Sequence, residues 1–262
     1  MEATINGARI HYERTGEGIP VIFLHAGVAD SRMWEPQVSA FAKQFDVIRP
    51  DMRGFGKSDL PPRPWSPHGD LYALVEELKL KPAHLIGCSM GGGLVLDFAL
   101  DHPERVSKLV LVDSGPSGQP DRPEYDSLFA EVDAADKAGD HVALNEAEAH
   151  LWLDGPYRPK GYVRQELRDL FLDMNGGNMD NDWASAPREH LEPPAFGRLN
   201  EVKAPTLVVV GDNDLEPLLE NADLLASSIK GARKVVIHDA AHLPSLEHPG
   251  EFNRIVLDFL LS

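Results

Sequence analysis

Chemistry in this chain starts at Gly87-Cys88-Ser89-Met90-Gly91, a G-x-S-x-G run with an apolar stretch, His84 to Ile86, before it and a helix-like stretch, Gly92 to Leu100, after it. A serine held in a sharp turn between strand and helix leaves no room for side chains on the backbone two positions to either side, and glycine meets that requirement. The hydroxyl of Ser89 then stands exposed. The N–H of Met90, at the start of the following helix, is aimed at the place where negative charge develops during attack on a carbonyl. Five residues thus offer a nucleophile and half of an oxyanion hole.

A serine hydroxyl is a poor nucleophile at neutral pH, so a histidine must take its proton and an acid must orient that histidine. In strand-turn-helix sites of this kind the acid and then the histidine follow the serine, each on a loop after a later strand. The apolar, β-branched run Pro205 to Val210 reads as a buried parallel strand and stops at Gly211-Asp212-Asn213-Asp214. A second run, Lys234 to Ile237, stops at His238-Asp239-Ala240-Ala241-His242. Asp212 and Asp214 both leave the strand ending at Val210 as candidates for the acid, and Asp113, ending the strand Lys108 to Val112, is a third.

With these motifs in view, the chain resembles the serine hydrolases of the α/β-hydrolase fold over essentially its whole length. His25-Ala26-Gly27-Val28 resembles the family's His-Gly oxyanion loop, and Asp51-Met52-Arg53-Gly54-Phe55-Gly56-Lys57-Ser58 resembles its D-x-R-G-x-G-x-S loop. The resemblance implies Ser89 as nucleophile, Asp214 as acid, His242 as base, and the N–H groups of Gly27 and Met90 as the oxyanion hole. One departure is Ala26, where the family usually has glycine. The implied chemistry is hydrolysis of a small carboxylic ester or lactone through an acyl-enzyme on Ser89, as in carboxylesterases, 3-oxoadipate enol-lactone hydrolases and cofactor-free haloperoxidases. Two alternatives stay open: hydrolysis of a carbon-carbon bond with the same triad, and a ligand-sensing protein of this fold with little turnover. Serine at the elbow argues against the alkyl-enzyme chemistry of dehalogenases and epoxide hydrolases.

Other readings of the same residues are weaker. Pro217 occupies the position where a calcium loop beginning at Asp212 would need glycine. His238 and His242 follow a strand and lack the H-E-x-x-H pattern of zinc helices, so neither metal nor cofactor is expected. His25 reads as a structural donor, Asp51, Arg53 and Ser58 as braces between loops, and Cys88 as buried and inert.

The elements that must position these groups alternate strand and helix, the pattern of a mostly parallel sheet covered on both faces. A hairpin over 2–14 turning at Asn6-Gly7 and strands near 20–25, 45–49, 83–88, 107–112, 205–210 and 233–238 give an eight-stranded α/β sheet. Every candidate above lies at a strand's carboxyl end, where ligands of open parallel sheets bind. The spacing assigns 1–115 and 201–262 to this core and 116–200 to an inserted helical cap, with helices near 124–138, 141–152, 160–174 and 180–190. Trp152, Phe171 and Trp183 are the aromatics assigned to its pocket, with Tyr157, Met174 and Phe196 as further candidates.

Length and composition agree with a compact soluble enzyme. Lys and Arg number 25 against 42 Asp and Glu, a net charge of −17, which repels nucleic acid and anionic membranes. The single cysteine allows no internal disulfide, and the first ten residues resemble no signal peptide, so a cytoplasmic location is expected. The expected partner is a small ester or lactone; a homodimer is allowed.

Overall fold

The computed structural model describes Met1–Ser262. Its elements in chain order are β1 (Glu2–Ile5), β2 (Ala8–Thr15), β3 (Ile19–Leu24), α1 (Glu35–Phe41), β4 (Phe45–Pro50), α2 (Pro67–Glu77), β5 (Ala83–Cys88), α3 (Met90–Asp101) and β6 (Val106–Val112). The helical interval contributes α4 (Ala130–Ala138), α5 (His141–Glu148) and α6 (Gln165–Gly176). The chain then returns through β7 (Thr206–Gly211), α7 (Glu216–Ser228), β8 (Arg233–Ile237), α8 (Pro244–Glu247) and α9 (Pro249–Leu261).

The eight strands form one sheet in the order β1-β2-β4-β3-β5-β6-β7-β8. Two pairings are antiparallel, the β1-β2 hairpin and β2 against β4; from β4 across to β8 every pairing is parallel. Parallel strands need crossovers, and the crossover helices cover both faces, which explains why β4, β5 and β7 are buried along their whole length. The period-two alternation of side chains divides the core. Ile22, Leu24, Leu85 and Leu109 pack with Val95 and Phe98 of α3 and Leu225 of α7. Val21, Phe23, Ile86 and Val110 face the other way, onto Phe41 of α1 and Phe252 and Val256 of α9.

The interval 116–200 is helical where periodicity was strong and irregular where proline intervenes. A 3-10 stretch, Pro123–Phe129, precedes α4, and α5 runs on into a π-helical turn over Ala149–Asp154. The helix expected near 180–190 does not form beyond one 3-10 turn, Trp183–Ser185, capped by the Asp182 side chain. Pro187 disfavours helical backbone at Ala186. The chain instead runs extended, Arg188 pairing with Trp65 as an isolated bridge.

Candidate active site

Ser89 sits between β5 and α3 with φ 53° and ψ −117°, a conformation that few non-glycine residues adopt. Neighbouring backbone enforces it. The Ser89 N–H donates to Val112 O at 2.8 Å. A Cβ on Gly87 would lie 2.2 Å from Gly91 O, and one on Gly91 would lie 2.4 Å from Leu24 O. The two glycines are therefore the condition for packing the turn against β3, and Ser89 is left partly exposed.

Asp214 and His242, distant in sequence, meet after β7 and β8. The His242 Nδ1–H donates to Asp214 Oδ2 at 2.7 Å, and both side chains are almost wholly buried. Asp214 Oδ1 accepts from Leu215 N–H at 2.7 Å, which leaves the carboxylate little freedom. Nε2 of His242 has no protein partner, and no hydrogen bond joins it to Ser89 in this resting arrangement; such bonds often tighten only with substrate. The His242 backbone is nonetheless tied to the elbow, its carbonyl lying 3.6 Å from Cys88 Sγ. The His242 N–H donates to Trp152 O at 3.2 Å, and the Trp152 ring lies 4.5 Å from the imidazole.

The oxyanion candidates also adjoin. No backbone carbonyl accepts the Gly27 N–H, and a Cβ on Gly27 would stand 3.7 Å from Met90 Cβ. His25 Nε2 accepts from Met52 N–H at 2.9 Å, so Nδ1 carries the proton and donates to Ala26 O at 2.8 Å. Burial lowers its pKa and keeps the ring neutral. Asp51 accepts from Ser31 N–H and Lys57 N–H, Ser58 donates to Asp51 O, and Arg53 pairs with Asp70. These three brace loops, as their types suggested.

Asp212 is turned to the surface, where it pairs with His238 at 2.8 Å. Asp113 is different: it is buried beside Asp214 and His242, the nearest side-chain oxygen and nitrogen atoms of the three lying within 4.8 Å of one another. Nδ1 of His242 and Oδ2 of Asp214 are already each other's hydrogen-bond partners at 2.7 Å. Burial, followed by the Asp214 charge, pushes the Asp113 carboxyl well above the usual carboxylate range. Burial likewise raises the Cys88 thiol, with Asp113 and Asp214 adding to the effect, so it stays protonated and unreactive.

Two cavities open at the elbow. One of about 350 Å³ is lined by Ser89, Met90, Asp97, Arg188, His190 and Asn221. The other, about 390 Å³, is lined by Gly27, Phe55, Met90, Glu148, Trp183 and Arg188. Trp183 thus faces a cavity, its ring tilted by 43° against Phe55 with centroids 5.0 Å apart. Trp152 covers His242 instead of lining either cavity. Phe171 corrects the pocket assignment: it is fully buried in the core beside Leu167 and Met174, because its face of α6 packs inward. Tyr157 is exposed.

Arg188, which sequence reasoning missed, borders both cavities. Its guanidinium lies 4.9 Å from the Trp183 ring and 5.7 Å from the Trp65 ring, and Nη1 donates to Met90 Sδ at 3.1 Å. It forms no ion pair, and burial alone lowers its pKa. An isolated arginine in an irregular segment carries no periodic signal by which it could have been found.

A family model described as alpha/beta hydrolase fold matches residues 19–249. Similar proteins include the 2-hydroxy-6-oxononadienedioate/2-hydroxy-6-oxononatrienedioate hydrolase 1 of Pseudomonas putida, 32% identical with 96% of this chain and 91% of that protein covered. The 2-hydroxy-6-oxo-6-phenylhexa-2,4-dienoate hydrolase of Comamonas testosteroni is 29% identical, with 99% and 93% covered. Among solved structures, the enol-lactonase of Burkholderia xenovorans LB400 superimposes with a TM-score of 0.80 at 28% identity, all of both chains being covered. No helix is long and apolar enough to cross a membrane.

Proposed function

We propose that this chain, which belongs to the alpha/beta hydrolase fold family, is a serine hydrolase that cleaves a small ester or lactone bearing a carboxylate. The observation that carries the reading is the strained Ser89 in one cleft with an unpaired arginine, beside a buried Asp214–His242 pair. In the proposed reaction His242 Nε2 takes the Ser89 proton as Oγ attacks the carbonyl carbon. The Gly27 and Met90 N–H groups receive the oxyanion, His242 returns the proton to the leaving oxygen, and a water activated by the same imidazole releases the acid product from Ser89.

Arg188 supports the anionic substrate. Its half-buried guanidinium borders both cavities and has no carboxylate partner in the chain, so it is free to pair with a carboxylate on a ligand. A second reading, hydrolysis of a carbon-carbon bond beside a ketone, is favoured by the curated relatives, whose names describe hydroxy-oxo-dienoates. The same serine would attack the ketone, and the proton from His242 would go to a leaving carbon.

A fluorophosphonate probe, a nitrophenyl hemiester of a short diacid and a 2-hydroxy-6-oxo-dienoate separate these readings. Labelling and ester turnover abolished in Ser89→Ala, and reduced about 10⁴-fold in Asp214→Asn through loss of the correct imidazole tautomer, are expected. Turnover of the dienoate alone would select the second reading. Full activity in Ser89→Ala would end both.

A further inference from the structure

Asp113 is the buried carboxyl group that this mechanism leaves without a task. It follows β6 with φ 42°, its N–H donates to Val209 O, and its Oδ1 accepts from Gly211 N–H at 2.9 Å. Its Oδ2 is sealed from solvent and meets no protein donor. An ionised oxygen so placed would be an orphaned charge in the low-dielectric interior. The titratable groups facing it are Asp214 after β7, His242 after β8, Glu247 in α8 and Cys88 at the end of β5, with no lysine or arginine among them.

Asp214 has one oxygen committed to Leu215 N–H and the other to His242 Nδ1–H, both at 2.7 Å, and each carboxylate oxygen can accept more than one bond. A proton on Asp113 Oδ2 turns the orphan into a donor and removes the repulsion between the two carboxylates. We propose that Asp113 is a neutral carboxylic acid whose Oδ2–H donates to the Asp214 carboxylate, making it a positioning residue that holds Asp214 against His242 and keeps one negative charge, not two, behind the imidazole. The proposal rests on Asp214 and His242 serving Ser89. With two charges behind it, the imidazole would hold its proton more tightly, so a smaller neutral fraction would be free to accept the serine proton near pH 7.

The test uses wild type labelled with ¹³C-aspartate and the variants Asp113→Asn and Asp113→Leu. At pH 7 the infrared spectrum of wild type is expected to contain a protonated aspartic carboxyl band that Asp113→Asn removes and Ser89→Ala leaves in place. Asn retains a donor, so kcat/KM should stay within about threefold and the acid limb of its pH profile should not move; Leu, which lacks one, should lower kcat by roughly ten- to a hundredfold. Absence of the band in wild type overturns the proposal whatever the variants do. So does an acid limb shifted down by about one pH unit or more in Asp113→Asn, the mark of a lost second charge. A Ser89→Ala enzyme with full activity would instead overturn the reading of the site while leaving the infrared result standing.

Discussion

Arg188 gives the sharpest test of substrate class. Replacing it by methionine preserves most of the apolar stem that lies against Trp183 and Trp65 and removes the guanidinium. Hydrogen bonds to charged groups contribute about 1.5–3 kcal/mol, so kcat/KM for a carboxylate-bearing ester should fall roughly ten- to 150-fold. Stability should respond differently. The side chain has no acidic partner to lose, its two cation–π contacts are worth about 0.5–1 kcal/mol each, and relief of desolvation acts against them, so the net change should be within about 1 kcal/mol. For a chain of this size that is a Tm shift of roughly 2–4 °C. The assay compares a nitrophenyl hemiester of a short diacid with a neutral nitrophenyl ester of equal length, alongside thermal unfolding. A selective loss on the hemiester is the expected result. Equal losses on both esters, or none, would refute the carboxylate assignment, and a collapse of Tm would show that Arg188 serves the fold.

Two further perturbations address the elbow and the histidine loop. In Gly91→Ala the new Cβ would meet Leu24 O at 2.4 Å and His25 O at 2.6 Å, so α3 must move relative to the loop carrying Gly27. A loss in kcat of about a hundredfold or more is expected from displacement of the proposed oxyanion donors, with about 1–3 kcal/mol of destabilisation from overpacking, read by steady-state kinetics and urea unfolding. Glu247 accepts from Ala241 N–H and faces Arg158, yet burial raises its pKa to about 7. A carboxyl raised on folding stabilises the native state below its unfolded pKa and loses that contribution as pH rises through the folded value. Measured against Glu247→Gln, wild type should therefore lose on the order of 3 kcal/mol between pH 4.5 and 7, and no more above it. Wild type gaining stability relative to the variant over that range would contradict the sign.

The sheet and the triad candidates were legible because they rest on local, strongly constrained signals. Continuous β-branched runs such as Thr206–Val210 have little alternative to a strand buried on both faces, and Gly87 and Gly91 are required by backbone contacts of 2.2 and 2.4 Å. The helical interval was less legible because its pattern serves two surfaces at once. Phe171 looked like a pocket aromatic, but α6 turns that stripe onto the core. Pro187 marked a break, yet its consequence, an extended segment carrying Arg188 to the cavity, depends on pairing with Trp65 far along the chain. Asp113 stood in the sequence as an alternative acid. Only the spatial neighbourhood showed that it stands beside Asp214, since strand order β6-β7-β8 is a tertiary fact.

That strand order also explains how the site keeps its shape. Three of the five non-glycine residues with positive φ, Ser89, Asp113 and Asp239, follow β5, β6 and β8. Such conformations cost about 1–3 kcal/mol each and persist only where their surroundings over-determine them. Here the surroundings are the next strand's end or loop. Ser89 N–H donates to Val112 O, Asp113 N–H to Val209 O, and Asp239 N–H to Asp212 Oδ1 after β7. Each strained residue is pinned by the strand beside it, so the strand ends form one cross-linked rim and not a set of independent loops. Arg158, reaching from the helical interval to Asp239 and Glu247, extends that rim to the segment covering His242. The placing of Ser89, Asp214 and His242 is therefore a property of adjacent strand ends taken together. A substitution that frees one strained residue, such as glycine at Asp113 or Asp239, should loosen the positions of its neighbours before it loosens the fold.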